Sequence, residues 1–154
     1  MKTKKFLLSL LLTITSASAA FAWPLDTYTI SRDKLPEAAQ EMLSTYFPKA
    51  KIGMIKIDSH LLKKTDYDVR LVDGTTIEFN NSGKWTSVKM KSGSLPEGLV
   101  MKTIRKHVDK NYNGAKIVSI VKKTSSYEIG LSDDITLKYD LLGIFKGVVM
   151  NNAE

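Results

Sequence analysis

Apolar residues recur along the chain with two different periods. Leu35, Ala39, Met42, Leu43, Tyr46 and Phe47 fall at three- and four-residue spacings, and Val100, Ile104, Val108 and Tyr112 repeat that spacing further on. Each set makes one apolar face of a helix. Pro36 suits a first turn, where its missing N–H costs nothing, and Pro48 stops the first helix. Asn113-Gly114 ends the second. Ser94-Leu95-Pro96-Glu97 has the spacing of a capping box, which predicts that the second helix starts there and that removing the Ser94 hydroxyl costs about 1 kcal/mol.

After each helix the period drops to two. Tyr67, Val69 and Leu71 alternate with Asp68 and Arg70, the mark of a sheet with one buried and one wet face. Strands are predicted at 51–58, 67–72 and 75–80, with a fourth segment at 84–91. Asp73-Gly74 is a hairpin signal, and Asn80-Asn81-Ser82-Gly83 is the next turn.

This order of elements is written twice. Tyr67-Asp68-Val69-Arg70-Leu71 matches Tyr127-Glu128-Ile129-Gly130-Leu131 at an offset of 60, and the register continues so that Gly83 meets Gly143 and Trp85 meets Phe145. Leu35-Pro36-Glu37 matches Leu95-Pro96-Glu97 at the same offset, whereas Ala50-Lys51-Ile52 matches Ala115-Lys116-Ile117 at 65. In the second copy Asp134 replaces Gly74, which predicts a less favourable turn. The expected fold is α+β: two tandem repeats, each a helix packed on a three- to four-stranded antiparallel meander sheet. The divisions are 1–22, a signal peptide; 23–92, repeat one; and 93–154, repeat two. Residues 91–94 are too short a linker to separate the copies, so they are expected to share a core or join edges.

Charge changes the picture less than its total suggests. The chain has 154 residues and a formal net charge of +7, from 23 Lys and Arg against 16 Asp and Glu. Lys2, Lys4 and Lys5 precede an apolar run from Phe6 to Ile14 and small residues up to Ala22. That order is a secretory signal peptide, and the run falls short of the roughly 20 residues of a membrane-spanning helix. Cleavage is expected after Ala22 or Ala19, with Ala22 preferred, and a periplasmic or secreted product follows. Export permits disulfides, yet there is no Cys, so stability has to come from apolar packing. The remaining charge divides evenly between the copies, which argues against a nucleic-acid footprint.

The sequence from Leu-Pro at the first helix, through Tyr46-Phe47-Pro48, to Tyr-acidic-Val-x-Leu, Asp-Gly, Ile-x-Phe and Asn-x-x-Gly-x-Trp resembles the PepSY-like family of bacterial exported proteins, whose fold is similar to the beta-lactamase inhibitor protein. The resemblance extends from Leu35 to Val148 in two copies. It implies a helix on an antiparallel sheet in each copy, a place beyond the inner membrane and a non-enzymatic role. Its motifs are structural, so inhibition or chaperoning of a secreted enzyme is an analogy from fold.

Catalytic chemistry is sparse. The two histidines, His60 and His107, have no Ser, Asp or Glu at a motif spacing, no His pair or Cys suggests a metal, and no glycine-rich phosphate loop occurs. The reading is therefore no enzyme, no catalytic residue, no cofactor and no metal. Outward positions Asp68, Arg70, Thr76 and Glu78, with Glu128, Thr136 and Lys138 from the second copy, are candidates for contacting a protein partner, a secreted hydrolase among them. Trp85 is a candidate anchor, Trp being enriched at binding hot spots, with a core residue under the helix as the other reading. Leu61, Leu62, Lys63 and Lys64 form a further candidate contact. Lys102, Arg105, Lys106 and Lys110 make a basic stripe on the second helix, the basis of an alternative function: binding a small ligand or anionic envelope polymer there or in a cleft between the copies.

Overall fold

A computed structural model describes residues 26–59 and 65–149. The signal-peptide region, His60 and the Leu61 to Lys64 segment lie outside the described residues. Nine strands form one antiparallel sheet in which every strand neighbours the next in sequence: β1 Thr27–Thr29, β2 Ile52–Asp58, β3 Asp66–Leu71, β4 Thr76–Phe79, β5 Trp85–Lys89, β6 Ile117–Lys122, β7 Ser126–Leu131, β8 Thr136–Asp140 and β9 Phe145–Val149. Helices α1, Glu37–Tyr46, and α2, Lys102–Asn111, each follow a short 3-10 turn, Arg32–Lys34 and Glu97–Leu99.

The register explains why the sheet is one body. Ile55 pairs with Val69, Val69 with Ile77, Ile77 with Val88, Val88 with Ile120, Ile120 with Ile129 and Ile129 with Leu137. Directly opposed residues share a face, so a single apolar row crosses seven strands. All seven side chains are buried, and with Ala39, Met42 and Leu43 of α1 and Ile104 and Val108 of α2 they form one core cluster. Both helices therefore lie on that side. β5 pairs with β6, and the result is one continuous sheet, not a small sheet under each helix.

Three details differ from expectation. First, β1 carries no period-two apolar signal, and pairing with β2 alone makes it a strand. Second, α2 starts at Lys102, with Met101 as its N-cap; Ser94 lies well before it, and its hydroxyl donates to the Ile117 carbonyl at 3.3 Å. The apparent capping box is a coincidence of spacing. Third, Leu35-Pro36-Glu37 corresponds in space to Val100-Met101-Lys102, not to Leu95-Pro96-Glu97. The N-caps Pro36 and Met101 have nearly the same backbone angles, φ −55° and ψ 148° against φ −57° and ψ 140°. Gly83, moreover, abuts Pro36 and Ala39 as Gly143 abuts Met101 and Ile104. The offset is thus 65 from the 3-10 turn through β2, and 60 only after it.

The β3–β4 and β7–β8 turns show what replacing Gly74 does. Gly74 sits at φ 88° and donates to the Leu71 carbonyl at 3.0 Å. Asp134 takes the same role at φ 63°, the one non-glycine residue with positive φ among those described, donating to Leu131 at 3.2 Å. A Cβ is disfavoured in that region. Asp134→Gly is therefore expected to stabilise the protein by up to about 1 kcal/mol in urea unfolding. By contrast, Ser94→Ala is expected to shift stability by less than about 0.5 kcal/mol, since it removes one long surface hydrogen bond and no cap.

Candidate binding face of the sheet

The alternation that buries one row exposes its neighbours. On the helix-free side Tyr28, Lys56, Asp68, Glu78, Ser87, Val121, Glu128 and Lys138 are successively paired, forming one row from β1 to β8. Met54, Arg70, Thr76, Lys89 and Ser119 form the next row, which continues through Gly130 to Thr136. Seven sequence candidates, Asp68, Arg70, Thr76, Glu78, Glu128, Thr136 and Lys138, therefore lie in two adjacent rows of one face.

Trp85 does not join them. It pairs with buried Phe79 across a bulge and packs partly buried against the core, on the helix side. The Lys122 ammonium stands 3.2 Å from the centre of its ring, a cation–π contact. Burial, with Lys84 nearby, lowers the Lys122 pKa. The indole thus has a partner within the chain on the face opposite the other candidates.

The two halves of the open face differ in charge. In the first, Asp68 and Glu78 sit directly opposite each other, an arrangement that like charges disfavour. Lys56 lies across from Asp68 but is held by Asp26 at 3.0 Å and Asp58 at 3.3 Å. These hydrogen bonds, Asp26's first, push the Lys56 pKa upward. The Asp68 carboxyl is raised by burial; Lys56 works against that, while Asp58, Asp66 and Asp26 add to it. In the second half the opposed pair is Glu128 and Lys138, and Gly130 occupies the place of Arg70, where a Cβ would require the Ser119 hydroxyl to turn away. In the first half acids crowd around Lys56, with Arg70 and Lys89 in the next row, whereas in the second the directly opposed pair is charge-matched.

Sequence reasoning missed two further groupings. Lys56 is the cationic centre of the acidic group, and its outward position in β2 was available from the alternation. His107 lies on the helix side, its Nδ1 2.8 Å from the Tyr139 hydroxyl and its ring stacked on Phe145 with centroids 4.6 Å apart. It occupies the place of Met42, a correspondence that the wrong helix offset conceals. The described cavities include one of about 530 Å³ at the end of α1, lined by Tyr46, Pro48 and Val72 among others, and one of about 400 Å³ beside Asp68 and Glu78. Neither is lined by both halves of the chain. Among the described residues no three acidic, His or Cys side chains are grouped to hold a metal, and no helix is long and apolar enough to cross a membrane.

A single antiparallel sheet with two helices on one face and the other face open defines the class of fold. Within it the chain belongs to the family described as "Putative beta-lactamase-inhibitor-like, PepSY-like", whose model matches residues 65–146. Solved structures agree. A protein from Bacteroides vulgatus, described as a putative periplasmic protein of unknown function, is 36% identical with a TM-score of 0.77, covering 82% of this chain and 100% of its own. One from Bacteroides thetaiotaomicron, described as a putative calcium-regulated periplasmic protein, is 29% identical with a TM-score of 0.75, covering 81% and 97%. A second putative periplasmic protein from Bacteroides vulgatus is 30% identical with a TM-score of 0.74 and the same coverage. No curated protein matches the chain, and none of these descriptions names a reaction.

The Tyr139 hydroxyl gives the His107 grouping a measurable signature. Burial, with Tyr112 adding to it, raises its pKa to about 12, above the usual value of about 10. A raised folded-state pKa stabilises below the unfolded value and loses that contribution as pH rises through the folded one. Tyrosinate absorbance is expected to show one component appearing near pH 12, absent in Tyr139→Phe. A titration unchanged by that substitution would refute the assignment.

Proposed function

We propose that the mature protein is an exported, non-catalytic module of two related copies, 23–92 and 93–154, that binds a protein through the helix-free face of its sheet. The observation that carries this reading is the pair of rows described above, which extend across the sheet without a covering element among the described residues. A face of that kind presents backbone-fixed side chains at regular spacing, with Arg70 and Thr76 beside the acidic pair Asp68 and Glu78, and Glu128, Thr136 and Lys138 further along. Charge patterns of this kind select partners more than they add affinity. Trp85 is not part of this surface.

Export is supported by the basic, apolar and small-residue order of 1–22, with cleavage after Ala22 or Ala19, and by neighbours described as periplasmic. The family description favours a secreted or envelope enzyme as the partner, restrained or helped to fold by this protein. The recurrence of both 3-10 turns, both helices and both Gly83-type turns at corresponding positions supports the two-copy reading. Calcium regulation is named for one neighbour; among the described residues of this chain no three acidic side chains are grouped to hold an ion.

Affinity capture from periplasmic extract tests the proposal. Wild type is expected to retain a protein that Arg70→Glu combined with Glu78→Lys loses at least about tenfold, while Lys110→Glu, on α2, retains it. Equal retention by all three would defeat the open-face reading.

A further inference from the structure

The turns that lead into β5 and β9 have one backbone and two chemistries. The Asn80 side-chain oxygen accepts from the N–H groups of Ser82 and Lys84, each at 3.0 Å; that of Asp140 accepts from Leu142 at 3.0 Å and Ile144 at 2.9 Å. Gly83 and Gly143 have φ 75° and 78° and close the two turns at 2.9 and 3.0 Å. With the backbone requirements met identically, the remaining positions are free. In the first turn they are Asn81, Ser82 and Lys84; in the second they are Leu141, Leu142 and Ile144. Those three are 50%, 73% and 54% exposed, and Met101 and Phe145 beside them are 38% and 36% exposed. Folding does not call for apolar residues here, since the first turn folds with polar ones.

We propose that this apolar turn, with Met101, docks the protein on an anionic lipid surface. The occupant is indicated by charge. The segments that build the tip carry Lys102, Lys106 and Lys146 against Asp140, while Arg105 is already paired with Glu97 at 2.7 Å and Lys138 belongs to the open face. Asp140 is itself engaged by its own turn and by Lys146 at 2.9 Å. Exposed apolar side chains with flanking lysines are the chemistry of interfacial binding, in which apolar burial and attraction to acidic headgroups act together. A second copy meeting the tip face to face would set these lysines against themselves. The N–H groups of Leu142, Gly143 and Ile144 are already used within the turn, so the apex offers little backbone ladder for an added strand, and none of the cavities noted above is lined by it. This surface is separate from the open sheet face, so either can fail alone.

The test uses exported, processed protein, its N-terminus verified by intact mass so that the apolar export segment is absent. Co-sedimentation compares vesicles of phosphatidylcholine with vesicles that also contain phosphatidylglycerol. Wild type is expected to sediment with the anionic vesicles and to be released by salt. The triple variant Leu141→Asn, Leu142→Ser, Ile144→Lys, which installs the residues of the chain's own first turn, is expected to weaken binding by more than about tenfold. Lys102→Gln with Lys106→Gln is expected to weaken it several-fold without altering the apolar tip. Absence of wild-type sedimentation with anionic vesicles overturns the proposal, as does undiminished binding by the triple variant at an unchanged melting temperature. A dimer in sedimentation velocity that the triple variant dissolves, with no vesicle binding, reassigns the tip to a second copy.

Discussion

The fold depends on cross-strand register. Because Ile55, Val69, Ile77, Val88, Ile120, Ile129 and Leu137 oppose one another in unbroken succession, a one-residue slip at any pairing would turn part of the apolar row to water and polar residues toward the helices. The bulges at Gly53, Thr86, Val118 and Lys146 leave this row intact. A chain without cysteine has no cross-link to hold such a register, so the helices fix it by covering the row. Polarity of the opposite face then follows: whatever faces away from the row is available for recognition.

The corresponding positions of the two halves separate what the fold requires from what it permits. Gly83 and Gly143 both stand at positive φ against a helix N-terminus, a conformation and a closeness that favour glycine. Gly74 and Asp134 are not both kept: the turn tolerates Asp at positive φ, although a β-carbon is disfavoured there. Glu78 and Lys138 occupy corresponding places with opposite charge, and Gly130 stands where the first half has Arg70. Both differences lie on the open face, where packing imposes least. Opposed Asp68 and Glu78 work against sheet stability, and a polar but uncharged residue at either place would fold as well, so packing does not require the acidic pair.

Much of this was legible in the sequence because both periods are strong. The strands at 67–72 and 75–80 appear within one residue of expectation, and the seven outward candidates fall on one face because alternation alone assigns faces. Where reading failed, two local patterns were satisfied at once. Ser94-Leu95-Pro96-Glu97 has the residues of a capping box and matches Leu35-Pro36-Glu37, but buried Leu95 and Leu99 precede the helix in a segment ending in a 3-10 turn, which local spacing cannot distinguish from a first helical turn. Of the two readings of Trp85 the packing agrees with the core one; its face could not be read from the sequence because the bulge between Glu78 and Phe79 breaks the simple alternation. β1 is invisible for a different reason: three residues paired only with β2 have little intrinsic preference to reveal.

The two edges of the sheet show the same logic at its limit. An exposed edge strand invites pairing with other chains. β1 is three residues long and is flanked by Asp26, whose carboxylate is tied to Lys56, so the first edge is short and charged. At the other edge, Val148 of β9 occupies the place of Val88 of β5 but is 52% exposed where Val88 is fully buried, because β6 covers β5 and no described strand covers β9. Protection there comes from Lys146 and from the bulge between Lys138 and Tyr139, which interrupt the ladder near the tip. The apolar turn adjoins this guarded edge without being part of its hydrogen-bonding ladder. Apolar exposure therefore falls where three successive turn N–H groups, those of Leu142, Gly143 and Ile144, are already used, which limits the template the apex offers for strand addition.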